Sequence, residues 1–220
     1  MNIQLDAVYN VDCIELMREM VKQKICVDWL ITDPPYGISV NNNMGRRKGC
    51  APSDYKKANW DKSRISKEYF DLMFQVSKNQ IIWGGNYYTD YLNPSPCWIV
   101  WDKKISDKMS FAQIEMAWTS SERSSKIITC FPNVGSEKRF HPTQKPLQVI
   151  EYCINQFTKE GEIIFDPFMG SFTTAVACHK LQRHFIGSEI DKEYFNKGLL
   201  RLEKEKAQMN IFEMIKKESL

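Results

Sequence analysis

The chain has no run near the ~20 apolar residues that a membrane-spanning helix needs, and its first ten residues lack a basic stretch followed by an apolar one. Neither a membrane partner nor an export signal is therefore expected. Paired cysteines are also missing. Cys13, Cys26, Cys50, Cys97, Cys130, Cys153 and Cys178 stand apart with no C-x-x-C among them, and the odd count of seven suits neither a disulfide framework nor a zinc site. A reducing cytosol is where these thiols fit. No internal repeat, low-complexity tract, helix-turn-helix or zinc-finger pattern occurs. Charge of one sign is scarce too: a net +3 over 220 residues does not by itself demand a polyanionic partner, so the local distribution of charge decides that question.

What is present is an alternation of short apolar strands and amphipathic helices, the pattern of an α/β sheet covered on both faces. Strands are expected over residues 5–10, 26–31, 80–83, 98–101, 112–119, 162–165 and 184–188, and helices follow residues 12, 66, 146 and 174. The second half of the sheet reads as antiparallel or mixed. The strand over 26–31 ends abruptly in Thr32-Asp33-Pro34-Pro35-Tyr36-Gly37. Successive prolines remove two backbone donors and fix φ, so the Asp33 and Pro34 carbonyls are expected to point outward as free acceptors. Acceptors beside the flat ring of Tyr36 suit a planar group carrying an NH₂, such as the exocyclic amine of adenine or cytosine.

Charge is concentrated in two stretches without apolar periodicity. Residues 41–64 hold seven basic side chains, among them Arg46, Arg47, Lys48, Lys56 and Lys57, against two acidic ones. With Tyr55 and Trp60 interleaved, they suit phosphate neutralisation and base stacking, and residues 120–139 read as a second basic face.

Further along, His141-Pro142-Thr143-Gln144-Lys145-Pro146 opens a helix. Then Asp166-Pro167-Phe168-Met169-Gly170-Ser171-Phe172 follows a strand and precedes another helix, with Glu189 at the tip of the next strand, 23 residues beyond Asp166. That is the distance at which an acid grips ribose hydroxyls in dinucleotide-type folds. One glycine where a pyrophosphate cradle needs three favours a nucleoside cofactor without phosphates, so S-adenosylmethionine fits and a nicotinamide dinucleotide does not. Asp12, between the first strand and helix, is equally suited to capping the helix or touching a ligand.

With the D-P-P-Y, H-P-T-Q-K-P and D-P-F-M-G-S motifs in this order, and with Trp101-Asp102-Lys103 and Glu115-Met116-Ala117-Trp118 between them, the chain resembles the β-group amino-methyltransferases of DNA over nearly its whole length. It looks most like the compact bacterial and phage adenine-N6 enzymes, in which the catalytic motif precedes the cofactor motif. The resemblance implies one methyltransferase domain over residues 1–220. Its fold would be a doubly wound, mostly parallel seven-stranded Rossmann-like sheet, with target-contacting loops at about 38–64 and 120–140. It implies catalysis by Asp33, Pro34, Pro35 and Tyr36. Cofactor contacts would come from Asp12, Cys13, Asp33, Thr143, Lys145, Asp166, Pro167, Phe168, Gly170, Ser171, Glu189 and Ile190, with Lys145 at the methionine carboxylate. DNA contacts would come from Arg46, Arg47, Lys48, Lys56 and Lys57. Double-stranded DNA is the implied partner, and the resemblance admits a homodimer and a cognate restriction nuclease.

The family pattern has glycine where this chain has Phe172. A ring there is expected either to crowd the cofactor loop, in which case Phe172→Gly tightens cofactor binding, or to belong to the core, in which case that change unfolds the chain. Three rivals stand beside adenine in DNA. The cytosine amine is usually served by Ser in place of Asp33, and RNA bases or a glutamine side chain by Asn. A DNA-binding relative with impaired catalysis is the third, suggested by Phe172 alone.

Overall fold

The computed structural model describes residues 1–38, 62–106, 112–132 and 139–218, with side chains described as far as residue 208. In chain order these residues form β1 (Ala7–Tyr9), α1 (Cys13–Lys22), β2 (Val27–Thr32), α2 (Lys67–Gln75), β3 (Ser77–Trp83), β4 (Trp98–Asp102), β5 (Ile114–Thr119), β6 (Lys126–Thr129), α3 (Leu147–Phe157), β7 (Ile163–Asp166), α4 (Thr173–Lys180), β8 (His184–Ser188) and α5 (Lys192–Glu218). Among them no helix is long and apolar enough to cross a membrane.

The strands make one eight-stranded sheet in the order β1-β8-β7-β2-β3-β5-β4-β6. Every pairing is parallel except those of β5, which runs antiparallel to both β3 and β4. The eighth strand is β6, in the stretch read from sequence as a basic loop. Its four residues alternate between half-buried and exposed, with Ile127 65% exposed, so no apolar run announces it. It exists because β4 offers it an edge, through pairing from Ile99↔Lys126 to Asp102↔Thr129.

Alternation along the central strands builds the two layers. Leu30, Ile82, Phe165 and Ile186 face α1 and α2, meeting Leu16, Met17, Met20, Phe70 and Met73. Ile31, Ile81, Ile164 and Phe185 face the opposite way and share a core with Val149, Ile150, Cys153 and Val176 of α3 and α4. The central β2 lies between two parallel neighbours and is buried on both faces, hence its nearly continuous apolar sequence.

Strand direction positions the site. The parallel strands β1, β8, β7, β2 and β3 all end at one edge of the sheet, where they deliver Asp12, Glu189, Asp166, Asp33 and Gly84. Because β5 is reversed, it starts at that edge with Glu115, and β4 ends there just before Lys103, in the register Trp101↔Glu115. From β2 the chain proceeds to β3 on one side, and from β7 to β8 on the other. The crevice between Asp33 and Asp166 is therefore the switch point where such sheets bind ligands.

Candidate active site

Asp33 and Asp166 follow neighbouring strands, and their surroundings treat them differently. The Asp166 carboxylate is buried and accepts hydrogen bonds from Thr32 Oγ1 at 2.8 Å, Thr174 Oγ1 at 2.6 Å and the Phe168 backbone N–H at 3.0 Å. Burial still pushes its carboxyl up to about 6. These bonds tie the end of β2, the 166–170 loop and the start of α4 into one frame. Asp33 is met by charge instead: Lys145 Nζ lies 2.7 Å from Oδ2, and the Tyr36 hydroxyl donates to Oδ1.

The ammonium of Lys145 reaches a second acid, Glu115, at 2.9 Å, and the other oxygen of Glu115 meets Lys103 Nζ at 2.6 Å. Asp33, Lys145, Glu115 and Lys103 thus form a row of alternating charge across the strand edge. Burial disfavours both carboxylates, but with opposite outcomes. Glu115, flanked by Lys145 and Lys103, is held down to about 2. Burial pushes the Asp33 carboxyl up, with Lys145 opposing this and the Glu115 charge adding to it. Burial alone would pull the Lys145 ammonium down, yet its two acids outweigh that and it stays charged.

Tyr36 sits otherwise than the sequence suggests. Its ring is stacked on Tyr87, with centroids 4.9 Å apart and planes inclined by 18°, and it does not border the cavity described below. Gly84, at φ +67°, permits this, since a Cβ there would lie 1.9 Å from Tyr36 Cε1. The hydroxyl bond to Asp33 draws the ring inward, so the face expected to be open is covered. The Tyr88 hydroxyl donates to the Pro35 carbonyl and fixes the loop from the far side.

A cavity of about 430 Å³ runs along the strand ends from Asp12 and Glu189 to Asp33 and Trp83. Every residue assigned from sequence to the cofactor borders it. Of the four assigned to catalysis, Asp33 and Pro35 border it, while Pro34 and Tyr36 do not. Asp12 caps α1 through a 2.7 Å bond from the Ile14 N–H and also lines the cavity. Glu189 accepts from the Gly170 and Asp191 N–H groups, each at 2.8 Å, and burial pushes it up to about 7. Lys145 borders the cavity while paired with Asp33 and Glu115.

Two buried polar atoms in the cavity wall, Trp83 Nε1 and Gln144 Oε1, have no hydrogen-bond partner among the described residues. Neither was found by sequence reasoning, although Gln144 lies inside the H-P-T-Q-K-P motif. Glu115 and Lys103 were noticed as motif letters without a role, because their meeting depends on the reversal of β5. Arg46, Arg47, Lys48, Lys56 and Lys57 lie outside the described residues.

Phe172 does not enter the cavity. Its backbone has the left-handed geometry of the expected glycine, φ 61° and ψ 25°, while its fully buried ring packs against Phe195 at 5.9 Å and over Gly198. A Cβ on Gly198 would lie 2.3 Å from Phe172 Cδ1, so the glycine of α5 provides the notch the ring fills. Of the two placements considered for the ring, it has the one in the core.

Comparison with known proteins agrees with this geometry. The family described as DNA methylase, of the N6/N4 methyltransferase type, matches residues 82–199. Type II methyltransferase M2.DpnII of Streptococcus pneumoniae is 51% identical, the match covering 88% of each chain. Type II methyltransferase M2.MboI of Moraxella bovis is 28% identical over 85% of this chain and 84% of its own. The crystal structure of the M1.HpyAVI-SAM complex shares the fold, with a TM-score of 0.61 at 24% identity, covering 89% of this chain and 98% of that one. A sheet with its cavity at the switch point, an acid at the ends of β2, β7 and β8 and a relative half identical over most of its length lead to one conclusion: the chain belongs to the N6/N4 DNA methylase family.

Proposed function

We propose that this DNA methylase transfers a methyl group from S-adenosylmethionine to the exocyclic amine of adenine in double-stranded DNA. The observation that carries the reading is the position of the Asp33 carboxylate, which borders the cavity at the switch point and is bonded to Lys145. The cavity has the size of a site for a cofactor-sized ligand. Its two unpartnered atoms suit the donor's amino-acid end: Trp83 Nε1–H can donate to a carboxylate and Gln144 Oε1 can accept from an ammonium. Thr143 and Lys145 would complete that end, while Asp12, Cys13, Phe168, Gly170, Ser171, Glu189 and Ile190 would hold the nucleoside. Bound there, S-adenosylmethionine would supply a methyl group activated by its sulfonium, the sulfur keeping the electron pair of the broken carbon–sulfur bond and leaving as a neutral thioether.

The chain's own residues do the rest. An adenine amine is a weak nucleophile because its lone pair is conjugated with the ring. An ionised Asp33 and the Pro34 carbonyl, accepting the amine hydrogens, localise that lone pair. As the nitrogen takes up the methyl carbon it must lose a proton, and Asp33 is the group placed to hold it. Stacking on Tyr36 holds the extruded base, which takes the place of Tyr87, a residue 40% exposed on a single 3-10 turn. Retention of Asp where the cytosine enzymes more often carry Ser supports adenine.

The assay is incorporation of labelled methyl into DNA against RNA and free nucleosides, and exclusive labelling of DNA is expected. Tyr36→Ala forfeits ~1–3 kcal/mol of base stacking and should lower kcat/KM about ten- to a hundredfold, whereas Tyr36→Phe keeps the face and should stay within about tenfold. Equal damage from both, measured in steady state, would remove the stacking role. The basic stretch containing Arg46 and Arg47 supports a phosphate-contacting role. Replacing both with Ala should weaken DNA binding and lower the slope of log affinity against log salt by about two. An unchanged slope in a titration across salt concentrations would place the phosphate contacts elsewhere.

A further inference from the structure

Lys145 is shared. Its one ammonium serves Asp33 at 2.7 Å and Glu115 at 2.9 Å, and Glu115 is in turn shared with Lys103 at 2.6 Å. Glu115 lies on β5 and Lys103 follows β4, both beyond the catalytic loop, and neither touches the Asp33 carboxylate nor, by its position, the reacting amine. The two cations of the row are the more enclosed partners: the Lys145 side chain is 7% exposed and that of Lys103 12%, against 28% for Glu115. Ion pairs with largely enclosed cations cost more to form than surface pairs, so a second pair behind the first invites an explanation beyond stability.

We propose that Glu115 and Lys103 are positioning residues for the methyl transfer, dividing the charge of Lys145 between two acids and so setting how much of it reaches Asp33. The proposal rests on the reading of Asp33 as the acceptor of the adenine amine. Physically, Glu115 acts against Asp33 twice, as a nearby negative charge and as a competitor for the ammonium. Lys103 opposes both effects, because it neutralises Glu115 from the other side and relaxes its hold on Lys145. The ring of Trp83 lies 4.9 Å from the Lys145 ammonium and that of Trp101 lies 5.2 Å from the Lys103 ammonium, so both cations are confined to the row.

Among the described residues, the other groups facing Asp33 are few. Tyr36, on its own loop, donates its hydroxyl to Asp33 and, held protonated by burial and by the Asp33 charge, stays neutral. Tyr88, on the turn after β3, donates to the Pro35 carbonyl. Asp166, at the end of β7, interacts with Asp33 by like-charge repulsion while its oxygens are held by Thr32 and Thr174. Cys153 of α3, beside Lys145, is pushed up to about 12 by burial and remains a thiol. Among these neighbours Glu115 and Lys103 are the pair whose removal moves Asp33 in opposite directions.

The sign follows from the charges. Asp33 must be ionised to accept the amine hydrogens, so activity is lost as pH falls through its folded value, and burial sets that acid limb above the ordinary Asp range. Glu115→Gln removes the competing anion and should shift the limb to lower pH, by about one pH unit. Lys103→Met keeps the apolar stem but leaves Glu115 to claim Lys145, and should shift the limb upward by a similar amount, while Lys103→Arg restores it.

The test is the pH dependence of kcat with donor and DNA saturating, together with the ¹³C titration of the Asp33 carboxyl in the protein alone, assigned by its absence from Asp33→Asn. Opposite displacements by the two variants are expected in both measurements. Displacements in the same direction, or none, overturn the proposal. So does loss of folding in both variants under conditions where the parent is folded, since the row would then serve only as a scaffold; if one alone folds, its direction of shift decides. Opposite displacements in the carboxyl titration with an indifferent rate profile would keep the coupling and instead remove Asp33 from the chemistry.

Discussion

Asp33→Ala is expected to lower kcat by at least about 10²–10³-fold, the loss found when one preorganised partner of a developing charge is removed. The reason is specific to this position. Asp33 is the carboxylate that borders the cavity while bonded to a buried cation, whereas the neighbouring Asp166 is bound by the hydroxyls of Thr32 and Thr174, has no such cation and is pushed up to about 6 by burial. Binding should survive. The nucleoside end of the cavity is built from Asp12, Glu189 and the 166–171 loop, none of which leans on Asp33, and Lys145 retains Glu115 as its partner. Calorimetry with S-adenosylmethionine and a gel-shift titration with DNA should therefore give constants within a few-fold of the parent. A variant that still methylates at a substantial rate, or that loses cofactor and DNA together, would show that Asp33 is structural.

The second large effect falls on stability. Phe172→Gly removes a fully buried ring, a change of a kind that costs about 3–5 kcal/mol, and relieves a left-handed backbone that costs a non-glycine residue about 1–2 kcal/mol. The net expectation is a loss of about 1–4 kcal/mol, seen as a fall in Tm of roughly 2–16 °C for a chain of this length. Cofactor affinity at a temperature where the variant is folded should be unchanged, because the ring points toward α5 and away from the cavity. Gly198 supplies the internal check. Gly198→Ala should destabilise the parent, whose Phe172 ring occupies the space of the new Cβ, yet stabilise the Phe172→Gly variant by up to about 1 kcal/mol through helix propensity. If Phe172→Gly instead leaves Tm unchanged and tightens the cofactor, the ring crowds the loop after all.

Phe172 also shows where sequence reading reached its limit. The left-handed requirement at that position is legible, since glycine is the residue that meets it most cheaply. The direction of a ring placed there is set by Gly198, twenty-six positions on, which no local pattern connects to it. The strands that end in Asp33, Asp166 and Glu189 were legible for the opposite reason. Each is an apolar run stopped by an acid, and parallel pairing brings such ends together whatever the register in detail. The row from Lys145 to Lys103 needed the register of β5 against β4, which a reading of that half as antiparallel or mixed does not supply, and β6 needed a neighbour's free edge. Tyr36 was read as an open face because an aromatic after two prolines has no visible partner in the sequence. Its partners, Gly84 and Tyr87, come from the end of another strand.

The central claim is that the amine beside Asp33 belongs to adenine. Its most direct test is to methylate DNA with the purified protein and S-adenosylmethionine, digest the product to nucleosides and identify the methylated one by mass spectrometry. The account predicts N6-methyl-2′-deoxyadenosine from the parent and none from Asp33→Ala. N4-methyl-2′-deoxycytidine as the product, or no methylated nucleoside from a folded protein that binds the cofactor, would contradict it.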